Sequence, residues 1–133
     1  MSQSNDTISM QCLYNYVIVD DNLNIHKTIK NILAGCDWLV CVHTFTCLSD
    51  VVCFMQSAQI DFMFLDLDLP DMNGLEIFNL LNNVPCIILI SAYIDQFYED
   101  ICSNIHKGIV ACAEKPINPT ELINLMTCLR ERL

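Results

Sequence analysis

Cations are scarce in this chain. Six Lys and Arg stand against sixteen Asp and Glu, a formal charge of −10. Phosphate backbones are bound through clustered cations, so no direct nucleic-acid contact is expected. The same balance favours divalent cations and basic protein surfaces. Long apolar runs are also missing: stretches such as Phe62 to Leu65 and Cys86 to Ile90 fall far short of the ~20 residues that span a bilayer, and no membrane insertion is expected. The polar opening lacks the charged-then-apolar form of a signal peptide. It reads as a disordered lead-in over residues 1–14, ahead of a domain over 15–133, and a cytoplasmic location is expected.

Paired cysteines are a third absence. The nine Cys, at 12, 36, 41, 47, 53, 86, 102, 112 and 128, contain no C-x-x-C pair, and their number is odd. That counts against a metal clamp or a disulfide framework. Several lie in apolar runs, Cys41 in Val40-Cys41-Val42 and Cys86 in Cys86-Ile87-Ile88. A reduced cysteine there behaves as a small core hydrophobe.

The 133 residues, 53% of them apolar, suit one domain. Five short apolar runs read as strands: Tyr16 to Val19, Val40 to Phe45, Phe62 to Leu65, Cys86 to Ile90 and Ile109 to Ala113. Helical spacings alternate with them. Ile25, Ile29, Ile32, Leu33 and Cys36 share one face, with Gly35 as a stop. Val51 to Ala58 follows a Ser49-Asp50 start, and Gly74 opens a helix to about Leu81. Phe97, Ile101 and Ile105 mark the buried stripe of a fourth helix. The last helix has Asn118 as N-cap, Pro119 at its first position and Glu121 completing a capping box. Leu122, Leu125, Met126 and Leu129 form its inner face. Five strands alternating with five helices define an α/β domain on a parallel sheet, whose strands are covered on both faces.

Ligands of such sheets bind outside the carboxyl ends of the strands. The first strand runs into Asp20-Asp21, the third into Asp66, the fourth into Ser91, and the fifth precedes Lys115-Pro116. Singly, Asp20-Asp21 would serve as a helix cap, Asp66 and Asp68 as turn residues before Pro70, and Lys115 as a solvated lysine. Jointly they converge on one edge. Three close carboxylates repel, and a hard divalent cation relieves that. Magnesium suits one or two carboxylates, retained waters and a phosphate oxygen; manganese is the alternative. Asp66 would attack phosphorus as a carboxylate nucleophile, with Lys115 and Ser91 on the equatorial oxygens.

VIVDD at 17–21, FLDLDLPDMNGLEI at 64–77, ISA at 90–92 and EKP at 114–116 resemble the receiver domain of two-component response regulators, chemotaxis-regulator-like, from about Asn15 to Leu133. The resemblance implies a flavodoxin-like doubly wound (βα)5 fold with strand order 2-1-3-4-5. It implies Asp66 as phosphoacceptor and metal ligand, Asp21 as direct ligand, Asp20 acting through metal-bound water, and Asp68 through its backbone carbonyl. Ser91 matches the switch hydroxyl, Lys115 the phosphoryl-contacting lysine, and the bond before Pro116 is expected to be cis. The implied partners are a histidine kinase or histidine phosphotransfer protein and a downstream protein target. The implied chemistry is the domain's own phosphorylation and dephosphorylation rather than catalysis on an external substrate.

Two positions depart from the pattern. Cys112 stands where a Tyr or Phe of the aromatic switch is common, with Tyr93, Phe97 or Tyr98 as candidate substitutes. The Gly74–Ser91 stretch is short, so a trimmed third helix is expected. Cys112 keeps an alternative open, a pseudo-receiver that binds proteins without being phosphorylated. A free-standing phosphatase or a flavin enzyme has less support: no second acid/base is placed for hydrolysis, and no Ser/Thr/Gly-rich phosphate loop follows the first strand. No output segment follows Leu133, so the chain is expected either to act alone by docking or to belong to something longer. Pairing of two copies through an apolar patch is left open.

Overall fold

The computed structural model describes residues 13–132; the expected lead-in lies almost wholly outside them. Five strands, β1 (Tyr14–Val19), β2 (Leu39–Phe45), β3 (Phe62–Asp66), β4 (Cys86–Ser91) and β5 (Ile109–Glu114), form one sheet in the order β2-β1-β3-β4-β5. Every pairing is parallel. Five α-helices connect or follow them: α1 (Leu23–Leu33), α2 (Leu48–Phe54), α3 (Ile77–Leu80), α4 (Tyr98–Asn104) and α5 (Pro119–Glu131). This is the flavodoxin-like doubly wound arrangement expected above. Among the described residues, no helix is long and apolar enough to cross a membrane.

Two apolar cores sandwich the sheet. On one face Ile29 and Leu33 of α1 and Leu122, Met126 and Leu129 of α5 cover Ile18, Phe64, Ile88 and Ile90. On the other, Leu48 and Val51 of α2, Ile77 of α3 and Ile101 of α4 cover Val19, Leu65, Ile87 and Leu89. The central strand β3 is buried at every residue, as two-sided cover demands. The edge strands are not. Val40 and Val42 of β2 and Val110 of β5 are exposed, because one helix layer stops short of each edge. The expectation of core cysteines is met in part: Cys41 and Cys86 are half-buried and pack against the core. Of the eight described, all free thiols, none is fully buried, and Cys53, Cys102, Cys112 and Cys128 are exposed.

Local signals explain most helix boundaries. Asn22 caps α1, its side chain accepting from Asn24 N–H at 2.9 Å, and Asn118 Oδ1 caps α5 by accepting from Glu121 N–H at 3.0 Å. Helix α3 is trimmed as expected, a 3-10 turn over Gly74–Glu76 leading into four α-helical residues. The fourth helix departs from expectation. Ile101 is buried, but Ile105 is 57% exposed, because the helix tightens into a 3-10 turn at Ile105–Lys107 and the 3.6-residue stripe ends there. Gly108 closes that turn at φ 134°, a conformation that strains any other residue.

The second helix begins at Leu48, not at Val51, and the reason lies elsewhere in the chain. Asp71, in the loop after β3, accepts from Leu48 N–H at 3.1 Å and Ser49 N–H at 3.0 Å. Desolvation works against its charge, but these donors outweigh it and hold the carboxyl below its ordinary value. Replacing Asp71 with Ala should cost about 1–2 kcal/mol at neutral pH, as for the loss of a good N-cap. Because the folded value is depressed, the contribution is present above the ordinary carboxylate range and is lost as pH falls through the folded value. Urea unfolding of wild type and Asp71→Ala at neutral pH checks the size.

Candidate phosphoryl-transfer site

With strand order β2-β1-β3, the connections reverse direction between β1 and β3, and a crevice opens there at the carboxyl edge. Register brings the functional side chains to that edge. Val19 pairs with Leu65, Asp66 with Ile90, and Ser91 with Glu114. Asp20 and Asp66 therefore leave neighbouring strands at the same height, with Ser91 and Lys115 beside them.

Asp20, Asp21 and Asp66 present carboxylate oxygens that all lie within 4.8 Å of one another. Asp20 is fully buried and Asp66 is 4% exposed, while Asp21 faces solvent. The Lys115 ammonium lies 2.8 Å from Asp20 Oδ2 and 3.4 Å from Asp66 Oδ2. Its first partner is thus Asp20, a pairing sequence reasoning missed. Asp20 Oδ1 accepts from Asn22 N–H at 2.8 Å. Oδ2 is buried with no well-aligned hydrogen bond, so the ammonium is its ionic neighbour alone. Asp66 Oδ1 accepts from Asp68 N–H at 3.2 Å; the Asp68 side chain is exposed, and that residue meets the site through its backbone. Ser91 is 1% exposed, and its Oγ accepts from Tyr93 N–H at 2.9 Å, leaving the hydroxyl hydrogen to donate. The carbonyl of Ser91 accepts from Lys115 N–H at 2.9 Å, and the Lys115–Pro116 bond is cis.

The electrostatics follow from this crowding. Burial and the neighbouring Asp20 charge push Asp66 up to about 6, against the pull of Asp68 N–H and Lys115. Burial disfavours the Lys115 ammonium, but Asp20 and Asp66 together hold it above its ordinary value. Three carboxylates share one cation, with a buried oxygen lacking a hydrogen bond. An all-oxygen donor set of this kind fits Mg2+ or Mn2+.

Gly74 is a second feature whose role was not legible beforehand. A Cβ there would collide with the backbone carbonyl oxygen of Asp66, so the loop folds back against the strand end only because the side chain is absent. Gly74 N–H donates to Leu67 C=O at 2.9 Å, closing the loop that carries Asp68.

Of the aromatic candidates around Cys112, Phe97 packs against the core, whereas Tyr93 and Tyr98 are largely exposed. Cys112 itself is exposed on β5.

A parallel five-stranded sheet with an acidic crevice at its switch point and a lysine over it defines a class of doubly wound α/β domain. Comparison with known proteins narrows it. The family model described as response regulator receiver domain matches residues 16–127, and the chain belongs to that family. It is 27% identical over 107 residues to the protein-glutamate methylesterase/protein-glutamine glutaminase 2 of Paramagnetospirillum magneticum, covering 78% of this chain and 30% of that protein. It is 26% identical to the transcriptional regulatory protein DcuR of Shigella flexneri, covering 90% of this chain and 52% of that protein. The chain thus spans about a third to a half of these relatives.

Among solved structures, the CheY-like receiver domain protein of Methanospirillum hungatei superposes with a TM-score of 0.75 at 23% identity, over 90% of this chain and 95% of that one. The CheY-like receiver domain of Methylobacillus flagellatus gives 0.72 at 21% identity, over 87% and 98%. At such identities the likeness is one of fold.

Proposed function

We propose that this chain, with residues 15–133 as the signalling unit, is a phosphorylatable receiver in a cytoplasmic phosphorelay. It takes a phosphoryl group on Asp66 from a phosphohistidine on a histidine kinase or phosphotransfer protein, and it signals to a downstream protein rather than by contacting nucleic acid. One observation carries this reading: the Asp66 carboxylate lies among two further carboxylates and the Lys115 ammonium at one sheet edge.

In the reaction, Asp66 Oδ attacks phosphorus, an acyl phosphate O–P bond forms, and the P–N bond to the donor imidazole breaks. Asp21, Asp66 and the Asp68 carbonyl would hold a divalent cation, with Asp20 acting through water. Bound there, Mg2+ or Mn2+ supplies neutralisation of the phosphoryl charge and of the carboxylate repulsion. Lys115 leaves its pairing with Asp20 and Asp66 to meet one phosphoryl oxygen, and the Ser91 hydroxyl donates to another. The burial that raises Asp66 also limits the access of bulk water to its acyl phosphate, so hydrolysis is expected to be slow.

Incubation with Mg2+ and a small acyl phosphate should add one phosphoryl mass to the wild type, and none in chelator or on Asp66→Asn. An unmodified wild type, or an undiminished gain on Asp66→Asn, overturns the reading. Exposed Cys112 in place of a switch ring favours a second reading, a protein-binding module never phosphorylated in the cell. Labelling by a histidine kinase separates the two.

A further inference from the structure

Buried beside the acidic crevice is a side chain that the chemistry above does not use. His26, on the second turn of α1, is 6% exposed, and its Nε2 lies 2.7 Å from the Asp20 carbonyl oxygen. A carbonyl can only accept, so Nε2 carries the hydrogen of this bond. The Asp20 carbonyl needs this donor. Strand β1 ends at Val19, and Asp20 is fully buried, so neither a ladder partner nor bulk water replaces it.

The Asp20 carbonyl and the Asp21 N–H are two ends of one rigid peptide plane. Rotation about ψ of Asp20 turns that plane, carries the Asp21 Cα with it and swings the Asp21 carboxylate relative to Asp66. Asp20 is held on its other sides as well. Its N–H donates to Phe45 C=O at 3.0 Å, its Oδ1 accepts from Asn22 N–H, and its Oδ2 pairs with Lys115. The carbonyl is the remaining point at which the unit can rotate, and His26 pins it there.

We infer that His26 is a positioning residue for the divalent-cation site: its Nε2–H bond to the Asp20 carbonyl locks the peptide plane between Asp20 and Asp21 and so sets the affinity of the site for Mg2+. This rests on the dication reading of the crevice given under Proposed function. Without the donor, a buried carbonyl lacks a partner, the plane turns to find one, and Asp21 loses its registry with Asp66. Residues that orient ligands in this way typically change metal affinity by 10–100-fold when removed.

Calorimetric titration with Mg2+ of wild type, His26→Leu, His26→Gln and Asp21→Asn tests the inference, with urea unfolding in chelator as the check on folding. The Gln amide nitrogen occupies nearly the place of Nε2, so His26→Gln should bind within roughly threefold of wild type, whereas His26→Leu should bind at least roughly tenfold more weakly. Should His26→Leu not fold, His26→Asn takes its place. Its amide is too short to span the gap and should also bind more weakly than His26→Gln. A destabilised His26→Leu that binds Mg2+ as tightly as wild type, or Asn and Gln variants of equal affinity, overturns the positioning role alone. A wild type that takes up no Mg2+, or an Asp21→Asn that binds as wild type does, overturns the dication site and this inference with it.

Discussion

Lys115→Met is expected to move two quantities in opposite directions. Phosphoryl loading of Asp66 from a small acyl phosphate should fall by roughly 10²–10³-fold, the usual cost of losing one preorganised donor to transition-state charge. Affinity for Mg2+ should rise. The Lys115 ammonium, 2.8 Å from Asp20 and 3.4 Å from Asp66, repels an incoming dication. At an effective dielectric between protein and water, its removal favours the metal by about 1–2 kcal/mol, or roughly 5–30-fold.

The metal-free variant should also be less stable, because the Asp20 charge is then buried without its cation; the loading assay therefore belongs at saturating Mg2+. A purely structural lysine would lower both quantities together. Stopped-flow loading and calorimetry on the same variant decide it. Unchanged loading, or loosened Mg2+ binding, contradicts the role given to Lys115.

Asp66→Asn should make the metal-free protein more stable while abolishing its chemistry. The carboxyl is raised from its ordinary value to about 6 by burial and by Asp20, so the folded state holds the Asp66 proton more tightly than the unfolded chain does. Stability contributed by this group is therefore present at low pH and is lost as pH rises through about 6. A rise of about two pKa units corresponds to at most about 3 kcal/mol. In chelator at pH 8, Asp66→Asn should exceed wild type by about 1–3 kcal/mol in urea unfolding. The difference should shrink as pH falls and vanish below about pH 3, where the wild-type carboxyl is protonated in both states. Saturating Mg2+ should erase the gain by stabilising the wild type. A less stable Asp66→Asn at pH 8 in chelator would show that Asp66 is held by favourable contacts rather than crowded.

What was readable in advance follows the reach of each physical signal. Two-sided burial writes itself as continuous apolar runs, so Phe62–Leu65 and Cys86–Ile90 marked the central strands, and with them the positions of Asp66 and Ser91. The residues just past the strand ends could be collected into one site because parallel sheets put all carboxyl ends on one edge. Edge strands carry the same apolar runs with only one face covered, so within Val40-Cys41-Val42 the cysteine packs against the core while both valines face solvent.

The start of α2 was hidden because its cap, Asp71, is more than twenty positions away in sequence. Ile105 continued a helical stripe in the sequence, but the chain tightens there and turns it outward. At the site itself, residue types and spacing suggested who would gather, not who would pair. That Lys115 lies nearer to Asp20 than to Asp66, that Gly74 clears the Asp66 carbonyl, and that His26 holds the Asp20 carbonyl all depend on the three-dimensional approach of segments no local pattern links.

The central claim is that Asp66, and not its acidic neighbours, receives the phosphoryl group in a reaction that needs a divalent cation. The direct measurement loads the wild type with a small acyl phosphate and Mg2+, reduces the acyl phosphate with borohydride, and maps the converted residue by peptide mass spectrometry. The expected result is conversion at Asp66 alone, absent when Mg2+ is withheld. Conversion at Asp20 or Asp21, or conversion at Asp66 that proceeds equally well in chelator, would contradict it.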